Sequence, residues 1–291
     1  MFLVPGMLIF ADKSIDMKRI LLLVVTLASL CACGPKQAQA PGISIFCDHI
    51  WTVAHQEGLS FAEAASRIRE IGYDGVDVRV TQKPAEIRTL DSLGFAHACA
   101  IADIDYGAGE QPEMEDIALD FMKEHGYERL LLVPGLMPEG SMPEDRAAAR
   151  KRIVAFTEKA ASQGITIMVE DYDNARSLCF NTERLDSLFT LSGDLQLVFD
   201  TGNFLFAGEN AQTCYTHFRG RIDHVHLKDR VSPADMHCVP AGSGCIPIAD
   251  IVRDLRATGY AGWLTVEQYG SRQMLSDSRT AYANVWQMLV Q

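Results

Sequence analysis

The sequence predicts an α/β protein that folds as a single (β/α)8 barrel. From residue 43 onward, short apolar runs alternate with longer amphipathic stretches, which is typical of strands followed by helices. Eight such units fit into about 250 residues, the usual size of this barrel. A doubly wound open sheet is the alternative. It more often has a glycine-rich nucleotide turn after its first strand, and the segment Cys47-Asp-His-Ile-Trp51 is not one.

The predicted strands are short apolar runs, each followed by a polar or glycine-containing segment. In chain order they are Ile43–Cys47, Gly75–Val80, Phe95–Ile101, Arg129–Pro134, Ile165–Glu170, Leu195–Asp200, Ile222–Leu227 and Trp263–Glu267. The predicted helices are Ser60–Ile71, Ala85–Leu93, Pro112–His125, Pro143–Gln163, Thr182–Leu191, Asn210–Arg219, Ile246–Thr258 and Gln273–Val290. Ser60 followed by Glu63 suits a capping box, and Gly72 and Gly126 are placed as C-cap glycines.

The first forty residues have the pattern of an export signal. Met17-Lys18-Arg19 is a short basic start, and the apolar run Ile20–Leu30 follows it. A basic start, about eleven apolar residues and a small residue at the cut form a secretory signal, which is too short to span a bilayer. The ending Leu30-Cys31-Ala32-Cys33 resembles a bacterial lipoprotein signal, in which Cys33 becomes the lipidated first residue. A plain signal peptide that is cut elsewhere is the alternative.

These features divide the chain into three parts. Residues 1–32 are the predicted signal peptide, with Met17 as an alternative start of translation. Residues 33–42 are the lipidated cysteine and a tether, and residues 43–291 are the TIM-barrel domain. Because attached acyl chains hold a protein at a membrane surface, we expect an exported protein anchored to a bacterial membrane and facing the periplasm. The sequence does not specify which membrane leaflet holds the anchor.

Charge and cysteine usage exclude some partners and leave others open. The net charge is −12 and the sequence has no basic cluster, so no nucleic-acid partner is expected. Six cysteines follow residue 43 without a CxxC pair, which gives no support for a thiol-based metal or redox site. Cys238 and Cys245 share one loop, and both a disulfide between them and two free thiols stay open.

Four residues able to bind a metal each end an apolar run. They are Glu170, Asp200, His226 and Glu267, with spacings of 30, 26 and 41 residues, roughly one strand–helix unit each. Because a parallel barrel brings the carboxyl ends of its strands to one face, four such residues in successive units indicate one shared site. Carboxylate oxygens with one imidazole nitrogen suit Mn²⁺, Co²⁺, Mg²⁺ or Zn²⁺ without choosing among them. The sequence therefore predicts a divalent metal ion as cofactor.

Motifs across most of residues 43–290 match one known superfamily. The matching segments are Ile71-Gly-Tyr-Asp-Gly-Val-Asp77, Val169-Glu170, Phe199-Asp-Thr-Gly-Asn203, His224-Val-His-Leu-Lys-Asp229, Gly242-Ser-Gly244 and Gly259-Tyr-Ala-Gly-Trp-Leu-Thr-Val-Glu267. By these segments the chain resembles the xylose-isomerase-like TIM-barrel superfamily of sugar phosphate isomerases and epimerases. The resemblance implies that Glu170, Asp200, His226 and Glu267 are the metal ligands. In the ketose 3-epimerase branch the two glutamates also act as acid and base, so Glu170 and Glu267 are the expected catalytic residues.

The expected substrate contacts include one departure from that pattern. Epimerase relatives commonly have a histidine where this chain has Asn203, which can hydrogen-bond a hydroxyl but cannot act as an acid or a base. The other candidate substrate-binding residues lie at or after the ends of predicted strands: Lys228, His237, Arg79 and His49. The segment ending at His237 is similar to one in the endonuclease IV branch. The histidines that this branch supplies from its second and third strands are not matched, so DNA repair is not expected.

The sequence leaves three functions open. The leading one is a divalent-metal-dependent sugar isomerase or epimerase, in which the metal stabilises an enediolate and carboxylates move the proton next to the carbonyl. The second is a 3-keto-glycoside lyase that uses the same site for β-elimination, and the third is a non-catalytic sugar-binding lipoprotein. An exported protein rarely meets phosphorylated sugars, so we expect an unphosphorylated sugar or keto-sugar as the carbohydrate ligand. Self-association into a homo-oligomer stays open.

Overall fold

Eight parallel strands close into a barrel in the computed structural model, which describes residues 40–291. The barrel strands are β1 (Gly42–Phe46), β2 (Gly75–Arg79), β3 (Ala96–Asp103), β4 (Arg129–Val133), β5 (Thr166–Glu170), β6 (Gln196–Asp200), β7 (Ile222–Leu227) and β10 (Trp263–Val266). Neighbours pair in chain order, and β10 closes the barrel between β7 and β1. The predicted (β/α)8 barrel is confirmed. The predicted signal peptide, Cys33 and nearly all of the tether lie outside the described residues.

Nine α-helices of the described residues flank the barrel. They are α1 (Cys47–Glu57), α2 (Phe61–Ile71), α3 (Pro84–Ser92), α4 (Pro112–His125), α5 (Pro143–Ala161), α6 (Thr182–Phe189), α7 (Ala211–Phe218), α8 (Ile248–Ala257) and α9 (Met274–Val290). Ser60 and Glu63 form the predicted reciprocal capping box before α2, and Gly126 ends α4 with a φ of +70°. Between residues 40 and 291, no helix is both long and apolar enough to cross a membrane.

Helix α1 is missing from the predicted order of elements. It begins directly after β1, without a side-chain cap from any described residue. Phe46 occupies the N-cap position and cannot accept a hydrogen bond through its side chain, so the usual sequence signal for a helix start is absent. The structure nevertheless has a helix from Cys47 onward, and this helix places Asp48 and His49 near the carboxyl end of the barrel.

An antiparallel hairpin follows β7 where the sequence predicts a loop. Its strands are β8 (Asp229–Ser232) and β9 (Asp235–Val239). The buried Asp229 carboxylate accepts the backbone N–H groups of Gly242 and Gly244 at 2.9 and 2.8 Å, which ties the base of the hairpin to the following loop. A Cβ atom on Gly244 would lie 2.2 Å from the Arg230 carbonyl oxygen, so this close approach requires glycine.

The cysteines of the described residues are all free thiols. Cys47, Cys99, Cys179 and Cys214 are buried, Cys238 is half-buried on β9, and Cys245 is exposed. Of the two alternatives that the sequence leaves open, the structure therefore has free thiols and no disulfide between Cys238 and Cys245.

A small apolar cluster fills the barrel interior, separate from the larger core between strands and helices. Its members are Phe46, Cys99, Ile101, Leu131, Met168 and Val198. Side chains two residues apart on a strand point to the same face. Glu170 and Asp200 lie two residues beyond Met168 and Val198, so both point inward at the carboxyl end, directly beyond this apolar layer.

Candidate active site

Four strand-end side chains converge at the carboxyl end of the barrel, and we call them the upper cluster. Glu170 and Asp200 end β5 and β6, His226 lies one residue before the end of β7, and Glu267 directly follows β10. These strands are consecutive neighbours in the barrel, which explains the convergence. One ligand atom from each residue lies within 4.8 Å of those of the other three. All four side chains are buried.

A second polar group lies one layer deeper in the barrel, and we call it the lower cluster. It consists of Asp77, Cys99 and His224, which are enclosed and whose donor atoms also lie within 4.8 Å of one another. Asp77 accepts hydrogen bonds from His224 Nε2 at 2.8 Å and from the Thr265 hydroxyl at 3.0 Å. Burial alone would raise the pKa of Asp77, but His224 and His226 outweigh it and hold that pKa below its ordinary value.

Asp77 also connects the two clusters. Its Oδ2 lies 3.3 Å from Nε2 of His226, while Nδ1 of the same ring faces Glu170 and Glu267. A carboxylate that accepts Nε2–H leaves Nδ1 as the nitrogen available to a metal, which is how metal-binding histidines are usually oriented. Burial alone would lower the pKa of His226, but Glu170 and Asp77 raise it well above its ordinary value.

The donor set of the upper cluster fits a divalent cation. Asp200 Oδ2 and Glu267 Oε2 are buried and receive no well-directed hydrogen bond from any described residue, although Lys228 Nζ lies 3.0 Å from the first oxygen and His226 Nδ1 lies 3.3 Å from the second. Both oxygens therefore keep lone pairs that a cation can use. Asp200 Oδ1 accepts the N–H groups of Gly202 and Asn203 at 2.7 and 2.8 Å, which fixes the orientation of the carboxylate. Burial and the nearby glutamates raise the pKa of Asp200 to about 7. A bound divalent ion would relieve this crowding of three carboxylates and one imidazole.

Lys228 and Asn203 are held against the upper cluster. The Lys228 ammonium is only 7% exposed and contacts Glu267 Oε1, Asp200 Oδ2 at 3.0 Å and Asn203 Oδ1 at 3.1 Å. Burial alone would lower the pKa of Lys228, but Asp200 and Glu267 raise it well above its usual value. Burial would likewise raise the pKa of Glu267, but Lys228 and His226 hold it below its usual value. Glu267 is therefore held as an anion beside a cation.

A cavity of about 460 Å³ opens above the upper cluster. Its walls come from the loops at the carboxyl end of the barrel and from the hairpin. Six of the site residues that the sequence predicts line it: Glu170, Glu267, Asn203, Lys228, Arg79 and His237. The cavity therefore brings together residues that are far apart in the sequence, from Arg79 at the end of β2 to Glu267 after β10.

Two of the predicted substrate contacts lie away from the cavity floor. Arg79 lies at the wall, where its guanidinium pairs with Asp48 and Asp103. His237 lies on β9 with its side chain 89% exposed, and its ring contacts the carboxylate of Asp235. Both residues belong to the rim, where a ligand passes before it reaches the upper cluster.

The sequence also proposes His49 as a substrate contact, but His49 lies outside the cavity. It is completely buried, and its Nε2 accepts the backbone N–H of Gln268 at 2.9 Å. Burial lowers the pKa of His49 to about 4, so the ring is neutral and can accept this hydrogen bond. His49 therefore supports the backbone next to Glu267 instead of facing a ligand.

Sequence reasoning does not single out Asp171 and Arg230, although both are buried at the site. Asp171 Oδ1 accepts the backbone N–H of Asp200 at 2.9 Å and so joins the ends of β5 and β6. Arg230 lines the cavity. The available signals are an adjacent acidic pair at a strand end for Asp171 and the two-residue spacing from Lys228 for Arg230.

Comparison with known proteins identifies relatives of this chain. A family model described as xylose isomerase-like TIM barrel matches residues 65–287. The chain is 25% identical over 247 residues to an inosose dehydratase of Clostridium beijerinckii, and the match covers 72% of this chain and 82% of that protein.

Solved structures share the fold. D-Allulose 3-epimerase from Methylomonas sp. superposes with a TM-score of 0.69 at 18% identity, covering 86% of this chain and 99% of that one. A xylose isomerase-like TIM-barrel protein from Mycobacterium smegmatis in complex with magnesium superposes with a TM-score of 0.62 at 18% identity, covering 79% of this chain and 88% of that one. At these identities the likeness shows the fold alone.

Proposed function

Because the chain belongs to the xylose isomerase-like TIM-barrel family, we propose that it is a divalent-metal-dependent lyase acting on a keto-sugar or keto-polyol. In this reaction a proton leaves the carbon next to the carbonyl, and a group on the β carbon is expelled. The observation that favours elimination is the Lys228 ammonium, which lines the cavity and contacts both Asp200 and Glu267. The similarity to an inosose dehydratase over most of both chains supports the same reaction class.

Glu170 is the proposed base. Its carboxylate lines the cavity, and no lysine or arginine of residues 40–291 lies within 4.0 Å of it. Glu267 is paired with Lys228 and Glu170 is not, so Glu170 is the carboxylate that is better placed to take this proton. A divalent ion bound by the upper cluster would supply the positive charge that stabilises the developing enolate.

Lys228 is the proposed electrostatic partner of the leaving group. Its raised pKa keeps it a cation, so it does not lose a proton in this step, and its positive charge would stabilise the negative charge that develops on the departing oxygen. An epimerase needs a second group that returns a proton to the opposite face of the same carbon. Glu267 is paired with Lys228 and its pKa is held below the usual value, which opposes that role. The difference between the two glutamates therefore favours elimination.

A metal-dependent sugar isomerase or epimerase is the second candidate. Glu170 and Glu267 both line the cavity and come from the non-adjacent strands β5 and β10, as a two-sided proton exchange requires. A non-catalytic sugar-binding protein would use the same cavity without any proton transfer.

Product analysis of the metal-loaded protein separates these functions. An inosose, a 3-keto-glucoside and a free ketose are incubated in deuterated water and followed by NMR. The lyase releases a leaving group and forms an unsaturated ketone, and Glu170→Gln abolishes this reaction. A deuterium-labelled epimer without elimination would instead establish the epimerase. Binding of these compounds without any exchange would establish a binding protein.

We also propose, from the N-terminal sequence, that the enzyme acts outside the cytoplasm on an unphosphorylated substrate. The export pattern ending at Cys33 supports this location. Labelled palmitate should enter the full-length protein but not its Cys33→Ser variant. Equal labelling of both, or labelling of neither, would overturn the anchor.

A further inference from the structure

We propose that Arg230 forms an anion-binding subsite for a carboxylate of the substrate, so that the substrate is a sugar acid or an acidic keto-polyol. This inference rests on the proposed function, because it concerns the same cavity and the same ligand. The upper cluster would bind the reacting carbonyl end, and Arg230 would bind a charged group elsewhere on the molecule.

The permanently charged cations that line the cavity differ in how they are neutralised. Among the described residues these are Arg79, Lys228 and Arg230. Arg79 and Lys228 each pair with two carboxylates. No carboxylate of residues 40–291 lies within 4.0 Å of the Arg230 guanidinium, although Arg230 is only 6% exposed. It is also the one buried arginine of that range. Burying a cation without an anion is unfavourable, so the wall has a place for an anionic ligand.

The Arg230 guanidinium keeps donors that the protein does not use. Nη1 donates to the Met236 carbonyl at 2.6 Å and to the Cys238 sulfur at 3.3 Å, and Nη2 donates to Asn203 Oδ1 at 3.4 Å. Nε–H has no partner among the described residues, but it is enclosed beside Gly202. An arginine has five N–H groups, so one on Nη2 remains free for a ligand, and two of the three in use have a sulfur acceptor or a long distance.

The surrounding residues fix the guanidinium beside Lys228. The Phe206 ring centre lies 5.0 Å from the guanidinium carbon, which is a cation–π contact over one face. A Cβ atom on Gly202 would lie 2.8 Å from the Lys228 carbonyl oxygen and 3.3 Å from Arg230 Nε, so glycine permits this approach. Asn203 Oδ1 accepts from both Lys228 and Arg230. A neutral histidine has one acceptor nitrogen and is poorly suited to accept from both, so the departure at Asn203 fits a wall with two adjacent cations.

A carboxylate suits this subsite better than a hydroxyl or a phosphate. Arginine binds the planar carboxylate through directed, charge-assisted hydrogen bonds. A neutral hydroxyl would leave the guanidinium charge uncompensated. A phosphate dianion would bring two negative charges to a wall that has one unpaired cation.

Equilibrium binding of two unreactive probes tests the subsite. D-Gluconate and D-sorbitol differ in having a carboxylate or a hydroxymethyl group at one end, and neither has a carbonyl. Their binding is therefore independent of whether the protein is a lyase or an epimerase. By calorimetry with the Mn²⁺-loaded protein, we expect gluconate to bind at least about tenfold more tightly than sorbitol. Arg230→Gln should bring the two affinities to within about twofold, with Mn²⁺ affinity unchanged.

Control variants and a third probe keep this test decisive. Arg253→Gln removes an exposed arginine on α8 and should leave the preference unchanged. Arg230→Lys keeps the charge but loses the planar fork, so it should weaken gluconate binding several-fold. If Arg230→Gln does not fold, unchanged gluconate affinity in Arg230→Lys would overturn the subsite. Equal binding of both probes by the wild type, or a preference that survives Arg230→Gln, would also overturn it. A wild-type preference for D-sorbitol 6-phosphate over gluconate would overturn the assignment to a carboxylate.

Discussion

The upper and lower clusters contain similar residue types one layer apart in the same barrel, yet their surroundings differ. The lower cluster is sealed, and its carboxylate is satisfied by His224 and the Thr265 hydroxyl. Burial raises the pKa of Cys99 well above its usual value, so the thiol keeps its proton and is a poor ligand. The upper cluster has three carboxylates, two of whose oxygens receive no well-directed hydrogen bond from residues 40–291, and a cavity opens above it.

This difference shows what distinguishes a metal site from a buried polar network. His224 and His226 share one strand and one face, and Asp77 contacts both. Residue type and proximity therefore do not separate the two clusters. The number of carboxylates and access from the cavity do separate them.

The largest expected effect is the loss of the base in the upper cluster. Glu170→Gln should lower kcat/KM by at least about 10²-fold, because it removes both a proton acceptor and a ligand charge. Cys99→Ala in the lower cluster should change it by less than about threefold, because a buried Cys behaves as a small apolar residue. Steady-state product formation checks both. A comparable loss in Cys99→Ala would contradict the division between the clusters.

Removing the cation beside the upper cluster should have the next largest effect. Lys228→Met should lower kcat about 10²-fold on a substrate with a poor leaving group. It should lower kcat much less on a 3-keto-glucoside with a nitrophenolate leaving group, because nitrophenolate is a stable anion and departs without help from a cation. An equal loss on both substrates would show that Lys228 positions Asp200 and Glu267 and does not assist departure.

The link between the clusters should set metal affinity. Asp77→Asn removes the carboxylate that orients His226 and should weaken Mn²⁺ binding about 10- to 100-fold by calorimetry. Asp235→Asn is the control, because this carboxylate pairs with exposed His237 on the hairpin. Unchanged affinity in Asp77→Asn would mean that His226 is oriented without the lower cluster.

The smallest expected effect is a pH dependence of stability in the metal-free protein. The pKa of Asp200 is raised from 3.8 to about 7 in the folded state, so the folded protein holds a proton that the unfolded chain has released. That stabilisation is complete below pH 3.8 and is lost as the pH rises through about 7. The melting temperature should therefore fall between about pH 5 and 8 more steeply in the wild type than in Asp200→Asn. Identical slopes in circular dichroism melts would contradict the raised pKa.

The convergence of the upper cluster could be predicted from the sequence because topology alone produces it. Each member ends a strand, and the carboxyl ends of neighbouring parallel strands meet at one face. The capping box of α2 could be predicted for a similar reason, since Ser60 and Glu63 are local to each other.

Other features depend on contacts between distant segments and leave little local signal. Helix α1 starts without a capping residue. Nothing in the sequence around His49 indicates that its ring accepts the backbone N–H of Gln268, which lies near the other end of the chain. Arg230 is unusual because it is a buried cation without a carboxylate partner among the described residues, which the sequence alone does not show. Its contact with Asn203 joins the segment after β6 to the hairpin. Such partners become visible only once the barrel is assembled.

Anomalous diffraction from crystals soaked in Mn²⁺ tests the central claim most directly. We predict one strong peak among Glu170, Asp200, His226 and Glu267, with His226 bound through Nδ1, and no peak among Asp77, Cys99 and His224. A peak at the lower cluster, or none at the upper cluster, would contradict the account.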